Sequence, residues 1–223
     1  MAAREAKIDE ARQRMYVEVI LGAAEAEFAA HGFDATGMRE IARRAGVSVK
    51  TVYDFYRSKL ELYQAVGIAR GAGLLAAVVE ALASVRSESA LDRLLAALTA
   101  YIGYAFEHPD YARLLLREGP LSPDPSERRA AEQDRQWARG LEASLSLIET
   151  GIENGELVPC EPQDLLAMMM NLLQIRLAAW LQHPDRWTRD SLIERARAEL
   201  IRLACPPTVA ADRLDETGLV LRR

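Results

Sequence analysis

Between Thr36 and Lys59 the chain carries six basic side chains (Arg39, Arg43, Arg44, Lys50, Arg57 and Lys59) against two acidic ones, Glu40 and Asp54. This local excess of positive charge stands within a chain of 223 residues whose formal net charge is -5. Cations, hydroxyls such as those of Thr36, Ser48 and Thr51, and helix N-termini are the groups that meet phosphate oxygens. Nucleic-acid binding depends on local charge rather than on the total, so the acidic balance does not exclude it. Other chemistries find little support. There is no G-x-S-x-G, P-loop, H-E-x-x-H or dinucleotide fingerprint, so an enzyme is the least favoured reading. His31, His108 and His183 fall at helix ends, where they are expected as caps, and have no metal-ligand spacing. Neither a metal nor a cofactor is expected. Two cysteines, Cys160 and Cys205, are too few for a disulfide scaffold and suit a reducing compartment. They leave open a redox-responsive alternative, disfavoured at Cys160 by the neighbouring Glu161, since a reactive thiol needs cations or a helix N-terminus.

The basic stretch is organised as two short helices and a tight turn. Met38, Ile41, Ala42 and Ala45 recur at helical spacing, and Ala42 is small where a second helix must approach closely. Gly46 follows, where the chain needs a positive φ to reverse. Val47 can plug the angle between the helices, and Ser48 is a good N-cap for the second. Val52 and Tyr56 can then face inward, which leaves Val49, Lys50, Thr51 and Asp54 outward. A small residue, a glycine four positions on and an apolar residue six further on make a helix-turn-helix arrangement.

Helical periodicity fills the remainder, with no hairpin turn signal and no sustained alternation of period two. Val17, Ile20, Leu21, Ala24 and Phe28 form one stripe that should end at His31-Gly32. Ser58 and Glu61 read as a capping box opening a long helix to about Val85, with Gly67, Gly71 and Gly73 expected to loosen its middle. Further helices are expected over Ala90 to Glu107, Asp110 to Arg117, a stripe from Trp137 to Ile152, Pro162 to Gln182, and Thr188 to Ala204. The segment 119–125 is a loop by composition. About nine helices result. The fold class is all-α: an N-terminal three-helix helix-turn-helix domain over 10–70, a C-terminal helical bundle over 71–205 for ligand sensing and dimerisation, and a mobile tail over 206–223. Met1 to Arg14 is charged without an apolar core, unlike a secretory signal. The apolar run Leu165 to Leu181 is interrupted by Asn171, Gln174 and Arg176, so no membrane association and a cytoplasmic location are expected.

The run Ile20-Leu21-x-Ala-Ala to Phe28, then Gly32-Phe33, Thr36, Ile41-Ala42, Ala45-Gly46-Val47-Ser48, Thr51-Val52-Tyr53 and Ser58-Lys59 resembles the tetracycline-repressor (TetR) family of bacterial regulators. The resemblance is dense over about 12–70 and rests beyond that on length and helix count. It implies a DNA-binding repressor released from a palindromic operator by a small-molecule effector. Thr36 would cap the first short helix and meet phosphate, and Arg39 would reach backbone or base. Val49, Lys50 and Thr51 would read the major groove. Tyr53, Asp54 and Phe55 would touch the backbone, and Lys59 would anchor a phosphate. In chemical terms, Lys50 can donate to guanine O6 or N7, and Val49 or Thr51 can meet a thymine methyl. Asp54 departs from the family pattern: it can accept from a cytosine amine or pair with Arg57. Tyr56 stands where phenylalanine is usual.

The helix from Pro162 to Gln182 is apolar nearly all round and must be covered on more than one side. In the resembled family the last two long helices form a four-helix dimer interface, which implies a homodimer. Tyr101, Tyr104, Trp137, Asn171 and Gln174 are the candidate pocket residues, aromatic walls with a few polar groups. Met168, Met169 and Met170 read as adaptable packing.

Overall fold

The computed structural model describes residues 2–117 and 128–221. The loop expected over 119–125 lies outside the described residues. Ten α-helices and one 3-10 turn make up the described chain: α1 (Ala2–Ala35), α2 (Met38–Ala45), α3 (Val49–Phe55), α4 (Lys59–Ser84), α5 (Ala90–Glu107), α6 (Pro109–Arg117), α7 (Ala131–Glu153), α8 (Pro162–Gln182), α9 (Arg189–Ala204) and α10 (Pro207–Arg213), with the 3-10 turn at Pro184–Arg186. The boundaries follow local chemistry. Gly32 takes φ 80° and ψ 170°, which breaks the helical path of α1 at the expected place. Ser58 accepts from the Glu61 N–H, but the Glu61 carboxylate turns back to the Arg57 N–H at 2.7 Å, so only half of the expected capping box forms. Pro109 and Pro162 open α6 and α8, where a missing N–H costs nothing.

Helices α1 to α3 close one small core around Ile20, Ala24, Phe28, Ile41, Ala42 and Val52, all essentially inaccessible. The rings of Phe28 and Phe33 meet Tyr63 of α4 edge-on, at 4.8 and 5.1 Å. That aromatic cluster joins the small unit to the rest. The second core lies among α5, α7, α8 and α9, with Leu91, Ile102, Ile148, Leu177 and Leu200 fully buried. Helix α4 packs on α1 at one end and on α5 and α7 along its length. By length and composition α4 and α8 are apolar enough to cross a membrane; here both lie among the other helices of the bundle.

The structure departs from expectation at two places. Helix α4 is unbroken, and its glycines serve close approach rather than looseness: a methyl on Gly67 would lie 2.5 Å from Gln133, and one on Gly71 2.6 Å from Gln136. The segment 206–221 was expected to be mobile, yet it forms α10 and a single antiparallel bridge between Leu214 and Val220. Val209, Ala210, Leu214 and Val220 rest on the core, and Arg213 reaches Asp92 at the start of α5 at 2.5 Å. Four apolar contacts and an ion pair give this short segment a reason to order that its composition alone does not reveal.

Candidate nucleic-acid interface and internal cavity

The turn between α2 and α3 is built as its residues dictate. Gly46 sits at φ 69°, ψ 26°, a left-handed conformation that costs a residue with a Cβ more than glycine. The Val47 N–H returns to the Ala42 carbonyl at 3.0 Å. Ser48 caps α3, its hydroxyl accepting from the Thr51 N–H at 2.9 Å, and Ser48 and Thr51 share a hydrogen bond at 2.7 Å. Val52 is fully buried and Tyr56 nearly so. The buried side of α3 thus fixes its position, and the other side faces outward. Lys50 is 86% exposed and pairs loosely with Asp54 at 3.3 Å. Asp54 therefore engages Lys50 one turn back and not Arg57. Tyr53 is half-exposed, and Arg39 lies exposed on α2. Val49 is only partly outward, because part of its side chain packs on the core. Phe55 turns to Tyr16 of α1, with ring centres 5.8 Å apart.

Two residues expected at the phosphate backbone are turned inward. Thr36 is buried, and its hydroxyl faces the Gly32 and Glu27 carbonyls of α1 at 2.7 and 3.1 Å. The N-cap of α2 is Gly37, which makes no side-chain cap. Lys59 sends its ammonium to the carbonyls of Phe33, Thr36 and Asp34 at 2.8, 2.9 and 3.2 Å, over the Phe33 ring at 4.5 Å. An ammonium has three hydrogens, and all three are spent inside the protein. In this structure Lys59 is an internal clamp on the end of α1. Arg44 is likewise held by the buried Glu27 at 2.7 Å. That guanidinium hydrogen bond holds the Glu27 carboxyl below its ordinary range. His31, expected as a cap, sits 3.1 Å from the same carboxylate. Arg39, Arg43 and Arg57 keep their guanidinium groups free of ion pairs among the described residues.

A buried ion pair ties this unit to the bundle. Glu25 of α1, 5% exposed, is bracketed by Arg70 of α4 at 2.6 to 3.0 Å. Arg70 also interacts with Tyr104, whose ring lies 4.3 Å from that of His108. Burial, then the Arg70 charge, push the His108 imidazole below its ordinary value. Apart from Tyr104 and His108, which stand four residues apart, these partners are not visible as a short-range spacing in the sequence.

One residue past Arg70, α4 begins to line a cavity enclosed by α4, α5, α7 and α8. It holds about 920 Å³ of empty space, counting its open mouth, and Leu74, Leu98, Trp137, Leu141, Met169 and Leu173 form most of its wall. The polar side chains of the wall are Tyr101, Gln136, Trp137 and Ser144; no charged residue lines it. Tyr101 and Trp137 are where the sequence placed them. Tyr104 instead lines a separate open groove between the end of α4 and α9. Asn171 is exposed and donates to the Ala167 carbonyl at 2.9 Å, and Gln174 is not in the wall. Helix α8 is apolar on several sides, so periodicity could not tell which polar residue faces in. Gln136 and Ser144 were missed because α7 carries polar residues on most of its turns. Cys205 is buried, which pushes its thiol up to about 11, while Cys160 is exposed. Among the described residues no group of three His, Cys, Asp or Glu can hold a metal.

Comparison with known proteins gives these features a setting. Residues 20–66 match the family model described as bacterial regulatory proteins, tetR family. The chain is 37% identical to the HTH-type transcriptional activator FasR of Mycolicibacterium smegmatis over 106 residues, 48% of this chain. That match spans about half of FasR, 47% of its length. Similarity to the HTH-type transcriptional regulator YhgD of Bacillus subtilis is lower, 26% over 183 residues, but covers 79% of this chain and 92% of YhgD. Among solved structures, a tetR-family regulatory protein from Rhodococcus RHA1 superposes with a TM-score of 0.69 at 25% identity, over 85% of this chain and 97% of that one. FadR of Bacillus subtilis, solved in complex with stearoyl-CoA, shares the fold with a TM-score of 0.67 at 15% identity, over 83% and 96%. The matched segment is the small unit of α1 to α4 whose turn Gly46 and Ser48 build, and over that segment the chain is similar to the tetR family of bacterial transcription regulators.

Proposed function

We propose that the chain is a cytoplasmic homodimer that binds a palindromic operator through α3 and responds to an apolar small molecule held in the internal cavity. The observation that carries this is the two-sidedness of α3: Val52 is fully buried while Lys50 is 86% exposed. A helix fixed by one face and solvated on the other, with cations around it, is built to enter a major groove. Lys50, Thr51 and the outward part of Val49 are the base-reading candidates. Arg39, Tyr53 and the capped start of α3 at Ser48 are placed for phosphate, and Asp54 tunes Lys50 by competing for its charge.

Pairing of two chains is supported by α8 and α9. Met168 and Ile175 on α8 and Leu203 on α9 are exposed, at 46%, 57% and 37%, although α8 buries Leu165, Met169, Leu173 and Leu177 on its other side. Two such faces brought together would cover them and space two copies of α3 about 34–36 Å apart, one turn of duplex. The effector acts by favouring one spacing over another. FadR was solved with stearoyl-CoA, which fits a regulator whose cavity takes an apolar chain; FasR is named an activator. We keep release from the operator as the primary reading and ligand-promoted binding as the second, which the FasR name favours.

The test is a gel shift on DNA flanking the chain's own gene, over a range of salt. Lys50→Ala should weaken operator binding by roughly 5- to 150-fold, corresponding to about 1–3 kcal/mol, and relax specificity at one base pair. Equal loss on every duplex would remove Lys50 from base reading. The absence of any salt-sensitive binding would overturn the regulator reading.

A further inference from the structure

The cavity wall is selective in the polar chemistry it offers. Gln136 lies against α4 so that its Oε1 is buried, 2.6 Å from where a methyl on Gly71 would stand, with no hydrogen-bond partner. Only glycine leaves room there, and a C–H of glycine tolerates an oxygen as a weak donor but would clash with an amide N–H. The amide is thereby held with its oxygen toward α4 and its NH2 away from it. The NH2 has no partner among the described residues. Ser144 spends its hydrogen on the Gly140 carbonyl at 2.9 Å. Tyr101 is buried, which pushes its phenol up and keeps it a donor. Trp137 has only a donor to give. The wall therefore offers the hydrogens of the Gln136 amide, the Tyr101 phenol and the Trp137 indole; its amide acceptor is sealed, hydroxyl oxygens such as that of Ser144 are its acceptors, and no cation lines it.

Resting on the reading of this cavity as the effector site, we propose that the effector is an uncharged molecule with an apolar body and a carbonyl-type acceptor, an ester or lactone in class, which the Gln136 amide NH2 anchors. A free carboxylate is excluded, because its charge would be dehydrated with no cation to receive it. An alkane fits the apolar wall but leaves the amide donors unmatched, at a cost of about one hydrogen bond.

The experiment uses the full chain and displacement of the neutral fluorophore N-phenyl-1-naphthylamine, whose emission rises in an apolar cavity. Methyl decanoate, decane and decanoate at neutral pH compete for it. We expect methyl decanoate to compete about tenfold better than either of the others, the factor that one hydrogen bond of about 1.4 kcal/mol gives. In Gln136→Leu the ester should fall to the level of decane while decane itself is unchanged. If the dye binds but decanoate competes as well as the ester, or if Gln136→Leu leaves the ester unaffected, this inference is wrong and the cavity reading stands. If neither dye nor any competitor binds, the cavity is not an apolar effector site and both readings fall. The comparison of the three probes on the unaltered protein decides the matter even if Gln136→Leu does not fold.

Discussion

Replacing Lys59 with methionine separates the inward clamp from a phosphate anchor. Methionine keeps most of the aliphatic stem over Phe33 and removes only the ammonium. The bonds to the Phe33 and Thr36 carbonyls are half-buried, whereas that to Asp34 is exposed and readily replaced by water. Loss of the two half-buried bonds at about 1–1.5 kcal/mol each, with about 0.5–1 kcal/mol from the cation over the ring, comes to about 3 kcal/mol. For a chain of this length that lowers Tm by roughly 6–12 °C. Circular dichroism melts give the first number, and operator binding against salt at a temperature where both proteins are folded gives the second. The salt slope should stay at the wild-type value, since no phosphate contact is lost. A melting point within about 2 °C of wild type, together with a slope shallower by about 0.9, would refute the clamp and restore the phosphate role.

Three further outcomes follow from the geometry. Arg70→Met strands the buried Glu25 and should cost about 3–5 kcal/mol in urea unfolding, while Glu25→Leu with Arg70→Met recovers most of it; additive losses would mean that the two residues are not coupled. The Glu27 carboxyl is held low chiefly by its hydrogen bond from Arg44, so its stabilising contribution is full above the ordinary carboxylate range and is lost as pH falls through that range and below. Stability of Glu27→Gln relative to wild type should therefore lag at neutral pH and converge in acid, and a gap independent of pH would contradict the pairing. Cys160 should react with a thiol reagent within minutes at pH 8, whereas Cys205, raised to about 11 by burial, should react only on unfolding. Fast double labelling would revive a redox role.

Most of the helical frame was legible because its ends are written in local chemistry. Gly32, Gly46, Ser48, Ser58, Pro109 and Pro162 each act within four residues of where they stand, and each marks a boundary found in the structure. Burial of Ile41, Ala42 and Val52 followed from spacing alone. The errors share a cause. Lys59 meets carbonyls 23 to 26 residues away, and Glu25 meets Arg70 45 residues away; such partners carry no periodic signature. A lysine in a basic stretch looks free until its partners are seen. Tyr104, Asn171 and Gln174 were drawn to the cavity by residue type, but which face of a helix turns inward depends on neighbours from other parts of the chain. The order of 206–221 likewise depends on Asp92, more than a hundred residues earlier.

Helix α4 couples these observations mechanically. It is one uninterrupted rod whose first residue, Lys59, grips the end of α1 and whose stretch from Gly71 to Val78 forms a side of the cavity. From Lys59 to Leu74 it spans about 22 Å, at 1.5 Å per residue. Used as a lever, a tilt of about 5° at the cavity end displaces the gripped end by about 2 Å. In the homodimer proposed above the two displacements would add, so a guest that wedged α4 by a few degrees would change the separation of the two reading heads by several ångströms, enough to put one of them out of step with its groove.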